Sequence, residues 1–256
     1  MRAGKPLPPV GVVLPAGGKG LRAGGAEPKQ FLELLPGLRA LDYAVRAFSC
    51  LDCVRAIALV LPPDRMAEHA ALARAFPKVI LVEGGAERWL SVRNGVQALD
   101  SGLPYVLVHD VARPFVSAAV ISRCLEAVAP DACVIAALPA SDTIKEVAGA
   151  MVRRTLDRAN LVQVQTPQVF PRSVLDAAYA RADKLDAAAA VGGGPSRGGT
   201  DPGPPTDEAM LAEREGCEVR WVRGADANRK ITSAADLAWA RWMAGRVAAG
   251  ETLEDE

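Results

Sequence analysis

The sequence lacks an excess of charge of either sign, and only 5% of its residues are aromatic. Its 30 Lys and Arg residues balance 30 Asp and Glu residues, so the formal net charge is zero. Proteins that bind nucleic acid non-specifically usually carry a strong basic excess, and this chain has none. A site for an anionic ligand must therefore arise from a local arrangement of cations and backbone amides.

Segments that would direct the chain into or across a membrane are also missing. No stretch approaches the roughly 20 apolar residues of a membrane helix, and no apolar segment of signal-peptide length follows the N-terminal basic residues. We therefore expect a soluble, cytoplasmic protein without membrane or nucleic-acid partners.

The five cysteines are an odd number, which favours free thiols. The two histidines do not stand at metal-ligand spacing from Cys50 and Cys53, which argues against structural zinc.

Short apolar runs alternate with segments of helical spacing over the first half of the chain. Strands are predicted at residues 10–14, 54–61, 79–82, 105–108 and 132–138. The alternation is typical of an α/β fold with a Rossmann-like, wound, mostly parallel sheet flanked by helices. In such a sheet the carboxyl ends of the strands meet at one edge, where ligands bind. The glycine-rich segment after the first strand, Gly84-Gly85 and Asp110 are all expected at that edge.

The pattern changes after residue 138. Residues 141–165 alternate and carry charges without a helical stripe, which predicts an extended hairpin arm. Residues 191–205 are rich in Gly, Pro and Ser and are predicted to form a mobile loop. Beyond the arm, helices are predicted at residues 172–185, 208–215 and 233–247, and a strand at 217–222. We expect residues 1–256 to form a single domain.

A glycine-rich segment directly follows the first predicted strand. It reads Pro15-Ala16-Gly17-Gly18-Lys19-Gly20-Leu21-Arg22, and Pro28-Lys29-Gln30 comes shortly after it. Glycines allow backbone amides to converge on an anion, and three cations lie close together with only Glu27 opposing them. The pattern indicates a polyphosphate site, although a glycine motif taken alone also fits a solvated loop.

These two motifs together resemble those of the sugar-phosphate nucleotidyltransferases. The motifs that follow are similar to one branch, the 2-C-methyl-D-erythritol 4-phosphate cytidylyltransferase family of the non-mevalonate isoprenoid pathway. In order, they are Gly84-Gly85-Ala86-Glu87-Arg88 with Ser91, Val108-His109-Asp110-Val111-Ala112-Arg113-Pro114-Phe115, Asp142-Thr143-Ile144-Lys145, Asp157-Arg158, Gln165-Thr166-Pro167-Gln168, Thr206-Asp207-Glu208 and Asn228-Arg229-Lys230-Ile231-Thr232. Their joint order and spacing, rather than any one motif, make the resemblance specific.

The resemblance implies that CMP is transferred from CTP to 2-C-methyl-D-erythritol 4-phosphate, giving 4-diphosphocytidyl-2-C-methyl-D-erythritol and pyrophosphate. It implies Mg²⁺ as cofactor, held mainly by the CTP phosphates, with Asp110 as the candidate protein ligand. It also implies a homodimer in which Thr143 and Arg158 of the arm serve the partner's active site. The residues implied for catalysis are Arg22, Lys29, Arg158 and Lys230. Those implied for CTP binding are Ala16, Gly17, Gly18, Gly20, Gly85 and Ser91, and those for the polyol phosphate are Asp110, Arg113, Thr143 and Thr166.

Several alternatives stay open at this point. The same motifs fit a ribitol 5-phosphate cytidylyltransferase, and a degenerate transferase fold could serve as a non-catalytic nucleotide-binding protein. Asp110 could cap the helix near Ser117 or pair with Arg113, and isolated Arg158 and Lys230 would be ordinary surface cations. Thr206 could be a helix N-cap with acidic residues in the first turn behind it. His109 is expected to be packed or hydrogen-bonded rather than to act as a base.

Overall fold

The computed structural model describes residues 6–17, 27–190 and 205–251 of the chain. The strands are β1 (Val10–Pro15), β2 (Glu33–Leu35), β3 (Leu38–Arg39), β4 (Val54–Leu61), β5 (Val79–Glu83), β6 (Tyr105–Val108), β7 (Ala132–Pro139), β8 (Lys145–Ala148), β9 (Met151–Thr155), β10 (Val162–Pro171) and β11 (Glu218–Arg223). The helices are α1 (Ala40–Ser49), α2 (Ala70–Ala75), α3 (Arg88–Ala98), α4 (Ala118–Ala127), α5 (Arg172–Ala190), α6 (Glu208–Arg214) and α7 (Ala234–Ala248).

The central sheet has seven strands in the order β11-β7-β10-β6-β1-β4-β5. Within it, β10 runs antiparallel to β6 and β7, and the other neighbouring strands are parallel. Successive strand residues point to opposite faces: Val12 and Leu14 join a buried cluster with residues of α1 and α4. Val13, between them, joins a second cluster with residues of α3, α5 and α6. The predicted mostly parallel sheet flanked by helices is therefore confirmed.

The strand order reverses beside β1. The chain runs from β1 to β4 and then β5 on one side, whereas β6 pairs with the other side of β1. A crevice opens at such a switch point, outside the carboxyl ends of the two strands. The segments that start at Ala16 after β1 and at His109 after β6 therefore begin at the usual ligand position of this architecture.

Strand β10 is the main departure from the predicted organisation. Residues 162–165, the end of the predicted arm, belong to a strand that pairs with both β6 and β7. The arm itself is the shorter β8–β9 hairpin, which forms a separate two-stranded sheet. Pro167 argues against a central strand by sequence alone, but it lies where the β10 register shifts between Val164 and Gln168.

Two further expectations concern segments at the limits of the described chain. Residues 191–204 of the predicted mobile loop lie outside the described residues, as do Gly18, Gly20 and Arg22 of the glycine-rich segment.

None of the helices in the described ranges has both the length and the apolar composition needed to cross a membrane. The assignment of residues 1–256 to one domain stays a prediction.

Candidate active site

The end of β1 is tied to the turn that carries Lys29. The amide of Ala16, a buried residue, donates to the carbonyl of Val60 at 2.7 Å, which continues the sheet pairing by one residue. The carbonyl of Ala16 accepts a 2.6 Å hydrogen bond from the side-chain amide of Gln30. Lys29 opens the short 3-10 turn that contains Gln30. Gln30 therefore ties the backbone that leads into the glycine-rich segment to the turn in which Lys29 stands.

Ser91 connects the loop after β5 with the segment after β1. Its hydroxyl accepts the amide hydrogen of Gly85 at 3.0 Å and lies 3.1 Å from the carbonyl oxygen of Glu87. A Cβ atom on Gly17 would lie 3.3 Å from this hydroxyl, so the two loops are in close contact. A Cβ atom on Gly85 would lie 2.5 Å from that of Leu90, which requires glycine at this position. The structure thus brings Gly17, Gly85 and Ser91 together.

Asp110 follows β6 and is the centre of a row of alternating charges. Its Oδ2 atom lies 2.6 Å from Nζ of Lys230, and its Oδ1 atom lies 3.1 Å from a guanidinium nitrogen of Arg88. A second guanidinium nitrogen of Arg88 donates to both carboxylate oxygens of Glu208, at 2.9 and 2.8 Å. The row therefore runs Glu208, Arg88, Asp110, Lys230, with negative and positive groups in turn.

Burial and ion pairing act in opposite directions on these groups. Burial alone would raise the pKa of Asp110, but the charges of Arg88 and Lys230 outweigh it and hold that pKa well below its usual range. For Glu208, which is fully buried, desolvation dominates over the attraction of Arg88 and raises its pKa. Asp110 is therefore firmly ionised at neutral pH, with both carboxylate oxygens paired to cations.

His109 and Thr166 are hydrogen-bonded to each other, next to the backbone amide of Asp110. The Thr166 hydroxyl accepts the amide hydrogen of Asp110 at 3.1 Å and lies 3.1 Å from Nδ1 of His109. Nε2 of His109 lies 3.0 Å from the carbonyl oxygen of Arg113, which can only accept, so this nitrogen carries the proton. Burial lowers the pKa of His109 to about 4. His109 is thus a neutral, fully hydrogen-bonded residue, and both of its ring nitrogens are occupied.

A pocket of about 510 Å³ lies beside Lys230. Arg113, Lys230 and Arg229 contribute cations to its wall, and Trp239 and Met243 contribute apolar surface. The Arg113 guanidinium is fixed by hydrogen bonds to the carbonyl oxygens of Asn228, at 2.8 Å, and Val164, at 3.2 Å. Such a cavity suits a small anionic ligand that also has an aliphatic part.

Two of the predicted residues lie apart from this cluster in the single chain. Thr143 precedes β8, and Arg158 lies in a 3-10 turn after β9; both are exposed. The Arg158 guanidinium donates to the carbonyl oxygen of Ser141 at 2.5 Å. The described structure therefore brings together Ala16, Gly17, Lys29, Gly85, Ser91, Asp110, Arg113, Thr166 and Lys230 at one sheet edge, whereas Thr143 and Arg158 lie on the arm.

Arg88 and Glu208 were not among the predicted site residues. Both belong to motifs that resemble the family, but a motif does not reveal a contact between residues 120 positions apart. The alternative roles of neighbouring residues are also resolved. Asp207, rather than Thr206, is the N-cap of α6, because its carboxylate accepts the amide hydrogen of Met210. Ser117 caps α4, so Asp110 is not its cap.

Most of the chain is similar to known proteins. A family model described as IspD, 2-C-methyl-D-erythritol 4-phosphate cytidylyltransferase, matches residues 10–246. The chain belongs to this family. A 2-C-methyl-D-erythritol 4-phosphate cytidylyltransferase of Acidobacterium capsulatum is 38% identical over 239 residues, covering 88% of this chain and 93% of the relative.

Other relatives in the family are longer. A bifunctional enzyme IspD/IspF of Anaeromyxobacter dehalogenans is 44% identical over 234 residues, which are 90% of this chain but 55% of that protein. The chain thus spans about half the length of the bifunctional relatives that it matches. Among solved structures, the 2-C-methyl-D-erythritol 4-phosphate cytidylyltransferase of Thermus thermophilus is similar with a TM-score of 0.71 and 31% identity, covering 93% of this chain and 99% of that one.

Proposed function

We propose that the chain transfers CMP from CTP to 2-C-methyl-D-erythritol 4-phosphate and releases pyrophosphate, as a cytidylyltransferase of the non-mevalonate isoprenoid pathway. The proposal rests on two contacts that follow the ends of the neighbouring strands β1 and β6, at the topological switch point of the sheet: the bond that ties the turn of Lys29 to Ala16, and the ion pair of Asp110 with Lys230. Family membership supplies the identity of the two substrates.

The chemistry requires fixed charges rather than a base. A phosphate monoester has a second pKa near 6, so the acceptor is already an anion at neutral pH. It attacks the α-phosphorus of CTP, the bond from that phosphorus to the bridging oxygen breaks, and pyrophosphate leaves. The neutral, fully hydrogen-bonded state of His109 is consistent with a reaction that has no histidine base.

On the nucleotide side, we assign the CTP phosphates to the backbone of residues 16–20 with Lys29 and Arg22. Glycine amides and cations placed around a phosphate stabilise the charge that develops during transfer. Gly85 and Ser91 lie next to Gly17 and are assigned to the nucleoside end of CTP. The roles of Gly18, Gly20 and Arg22 rest on the motif alone.

On the acceptor side, we assign the polyol phosphate to the pocket beside Lys230. Lys230 and Arg113 would neutralise and align the incoming phosphate, which is a proximity effect, with Asp110 and Thr166 at the border between the two substrates. The apolar wall of Trp239 and Met243 fits the methyl-branched carbon chain of methylerythritol. Arg158 and Thr143 would complete this pocket from the partner subunit.

The arm supports a homodimeric arrangement. Val147, Met151 and Val152 on the hairpin are 57%, 73% and 59% exposed in the single chain. Neighbouring apolar side chains exposed to this extent are typical of an interaction surface. Arg158 and Thr143 are exposed next to this hairpin, so a partner that covers the hairpin could also contact them.

The residues present fit a Mg²⁺ ion that is bound mostly by substrate. In the described ranges, no group of three or more His, Cys, Asp or Glu side chains could hold a metal by itself. Mg²⁺ commonly uses one or two carboxylates together with substrate phosphates. Asp110 is the candidate ligand, because each of its oxygens, although paired with Arg88 or Lys230, keeps a further lone pair. When bound, the ion would neutralise charge on the CTP phosphates.

The deciding experiment is an assay of pyrophosphate release with CTP and Mg²⁺, with 2-C-methyl-D-erythritol 4-phosphate and ribitol 5-phosphate as rival acceptors. We expect a strong preference for the methylerythritol phosphate. Preference for ribitol phosphate would keep the CTP site and overturn the acceptor. Release with neither acceptor, together with CTP binding by calorimetry, would instead identify a non-catalytic nucleotide-binding protein.

A further inference from the structure

Glu208 is a fully buried carboxylate at the first turn of α6. Both of its oxygens accept hydrogen bonds from one nitrogen of Arg88, at 2.9 and 2.8 Å. Arg88 is the first residue of α3, 120 positions earlier in the chain. The pair therefore joins two helices on the same face of the sheet.

The other end of Arg88 faces the proposed site. Its second terminal nitrogen lies 3.1 Å from Asp110, whose other carboxylate oxygen lies 2.6 Å from Lys230. The guanidinium of Arg88 thus links Glu208 by hydrogen bonds to Asp110, and through Asp110 to Lys230. A planar guanidinium that is held on one edge presents its remaining donors in a fixed direction.

The start of α6 is itself fixed to the strand that carries Thr166. Asp207 receives a 2.9 Å hydrogen bond from the side-chain amide of Gln168 in β10. Its other oxygen caps the helix by accepting the amide hydrogen of Met210 at 3.0 Å. Glu208 is therefore a rigid anchor, because the backbone on which it stands is held by both the helix cap and the central sheet.

A buried ion pair is weak evidence for stability, because apolar side chains of similar volume often serve the fold equally well. A charged pair at this position therefore calls for a role beyond packing. We propose that Glu208 is a positioning residue that acts through Arg88: it fixes the guanidinium that orients Asp110, and Asp110 in turn holds Lys230 against the acceptor. This inference rests on the proposed function and adds two residues to its machinery.

The test uses three variants of the full chain: Glu208→Gln, Arg88→Met and the double variant. Glu208→Gln keeps the shape of the side chain and should lower kcat by about 10- to 100-fold, the usual effect of losing a charged hydrogen bond. The KM for CTP should change by less than about threefold, because the CTP phosphates bind elsewhere. Arg88→Met leaves the Glu208 carboxylate buried without its partner and should lower the melting temperature most.

The double variant separates positioning from folding. With both charges removed, its melting temperature should recover most of the loss seen in Arg88→Met, whereas its kcat should stay low. Recovery of kcat together with the melting temperature would overturn the proposal, because the pair would then be merely structural. A double variant that fails to fold would also contradict it, as would Glu208→Gln with kcat within about twofold of the unsubstituted chain.

The matched control removes an ion pair from the other end of α6. Arg181 and Glu215 lie 3.3 Å apart across α5 and the end of α6, and Arg181→Met with Glu215→Gln should leave kcat unchanged. The unsubstituted chain is assayed in parallel. If it releases no pyrophosphate, the proposed function itself fails; if it is active and Glu208→Gln is equally active, only the positioning role fails.

Discussion

The side-chain nitrogen of Gln30 lies 2.6 Å from the carbonyl oxygen of Ala16, in a buried hydrogen bond. This contact fixes the turn carrying Lys29 to the residue that directly follows β1. Lys29 is half-buried and stands one residue before the anchor, so its position relative to Gly17 depends on that bond. Gln30 therefore connects the cation to the segment whose amides are assigned to the CTP phosphates.

Replacing Gln30 by Met should raise the KM for CTP. The substitution keeps the length and apolar stem of the side chain but leaves the Ala16 carbonyl without this donor, which costs about 1–3 kcal/mol. We expect steady-state kinetics to show a rise in KM for CTP of roughly 5- to 30-fold, as Lys29 and the turn lose their common anchor.

The Lys29→Ala variant should lose most of kcat/KM while remaining folded.

The control for both variants is Arg55→Ala, which removes an exposed cation near the start of β4, the opposite end of that strand from the site. It should leave both kinetic constants unchanged. A Lys29→Ala variant with near-normal kcat/KM would show that the phosphate site has been wrongly assigned. Unchanged KM for CTP in Gln30→Met would show that Lys29 does not depend on this anchor.

Thr166→Val should damage the site, whereas Thr166→Ser should not. The hydroxyl pairs with both the amide of Asp110 and Nδ1 of His109, and valine of nearly the same shape would leave these buried groups without that partner. We expect a loss of about 1–3 kcal/mol in the free energy of unfolding, measured by urea denaturation. The KM for the acceptor should also rise, because the Asp110 backbone loses its restraint. Equal behaviour of the Val and Ser variants would contradict this account.

Mixing two inactive variants tests whether the arm acts in trans. Arg158→Ala alters the arm, and Lys29→Ala alters the nucleotide side of the same chain. If the arm of one subunit completes the partner's site, hybrid dimers contain one site with both native residues. Activity should therefore recover to about a quarter of normal when equal amounts are mixed after subunit exchange, since half of the dimers are hybrids and each has one intact site of two.

The comparison for that experiment is each variant mixed with itself. Neither should gain activity under the same exchange conditions. Sedimentation should show that both variants remain dimeric, so that a failure of recovery counts against the trans arrangement rather than against assembly. Recovery that is independent of exchange would indicate residual activity in one parent.

Local sequence patterns were sufficient to predict the strands that are bounded by turn-forming residues. The apolar run of β4 is closed by Pro62-Pro63, and its bounds of 54–61 are as predicted. β10 was not recognised as a strand of the central sheet, because the alternation and charges of residues 141–165, without a helical stripe, favoured a hairpin arm. The register shift between Val164 and Gln168 admits Pro167 into the sheet, and such a shift depends on the partner strands.

Site residues likewise divide into those that local sequence order predicts and those whose position depends on tertiary packing. Asp110 was predicted because its place after a parallel strand is a property of local order and fold class. Glu208 was not, because its burial against Arg88 depends on how α6 packs on the sheet, which no short motif encodes. The N-cap of α6 is Asp207 rather than Thr206 for a similar reason. Both residue types cap helices well, and the hydrogen bond from Gln168, which depends on tertiary packing, favours Asp207.

Asp236→Asn should destabilise the chain in a pH-dependent manner. Asp236 is 4% exposed, and its Oδ2 accepts hydrogen bonds from Thr232, at 3.0 and 2.6 Å, and Ser233, at 2.9 and 2.8 Å, which start α7. Burial alone would raise its pKa, but these hydrogen bonds hold the pKa well below its usual range. The ionised carboxylate should contribute about 1–3 kcal/mol near pH 7.

The sign of the pH dependence follows from that lowered pKa. The contribution of Asp236 is fully present above the unfolded pKa of about 3.9 and is lost as the pH falls through the lower folded value. Urea denaturation should therefore give a gap between Asp236→Asn and the unsubstituted chain that is constant from pH 7 to 5 and narrows below pH 4. The exposed Asp64 provides the control, since Asp64→Asn should give no gap at any pH. A gap of constant size down to pH 3 would mean that the carboxylate acts through its shape rather than its charge.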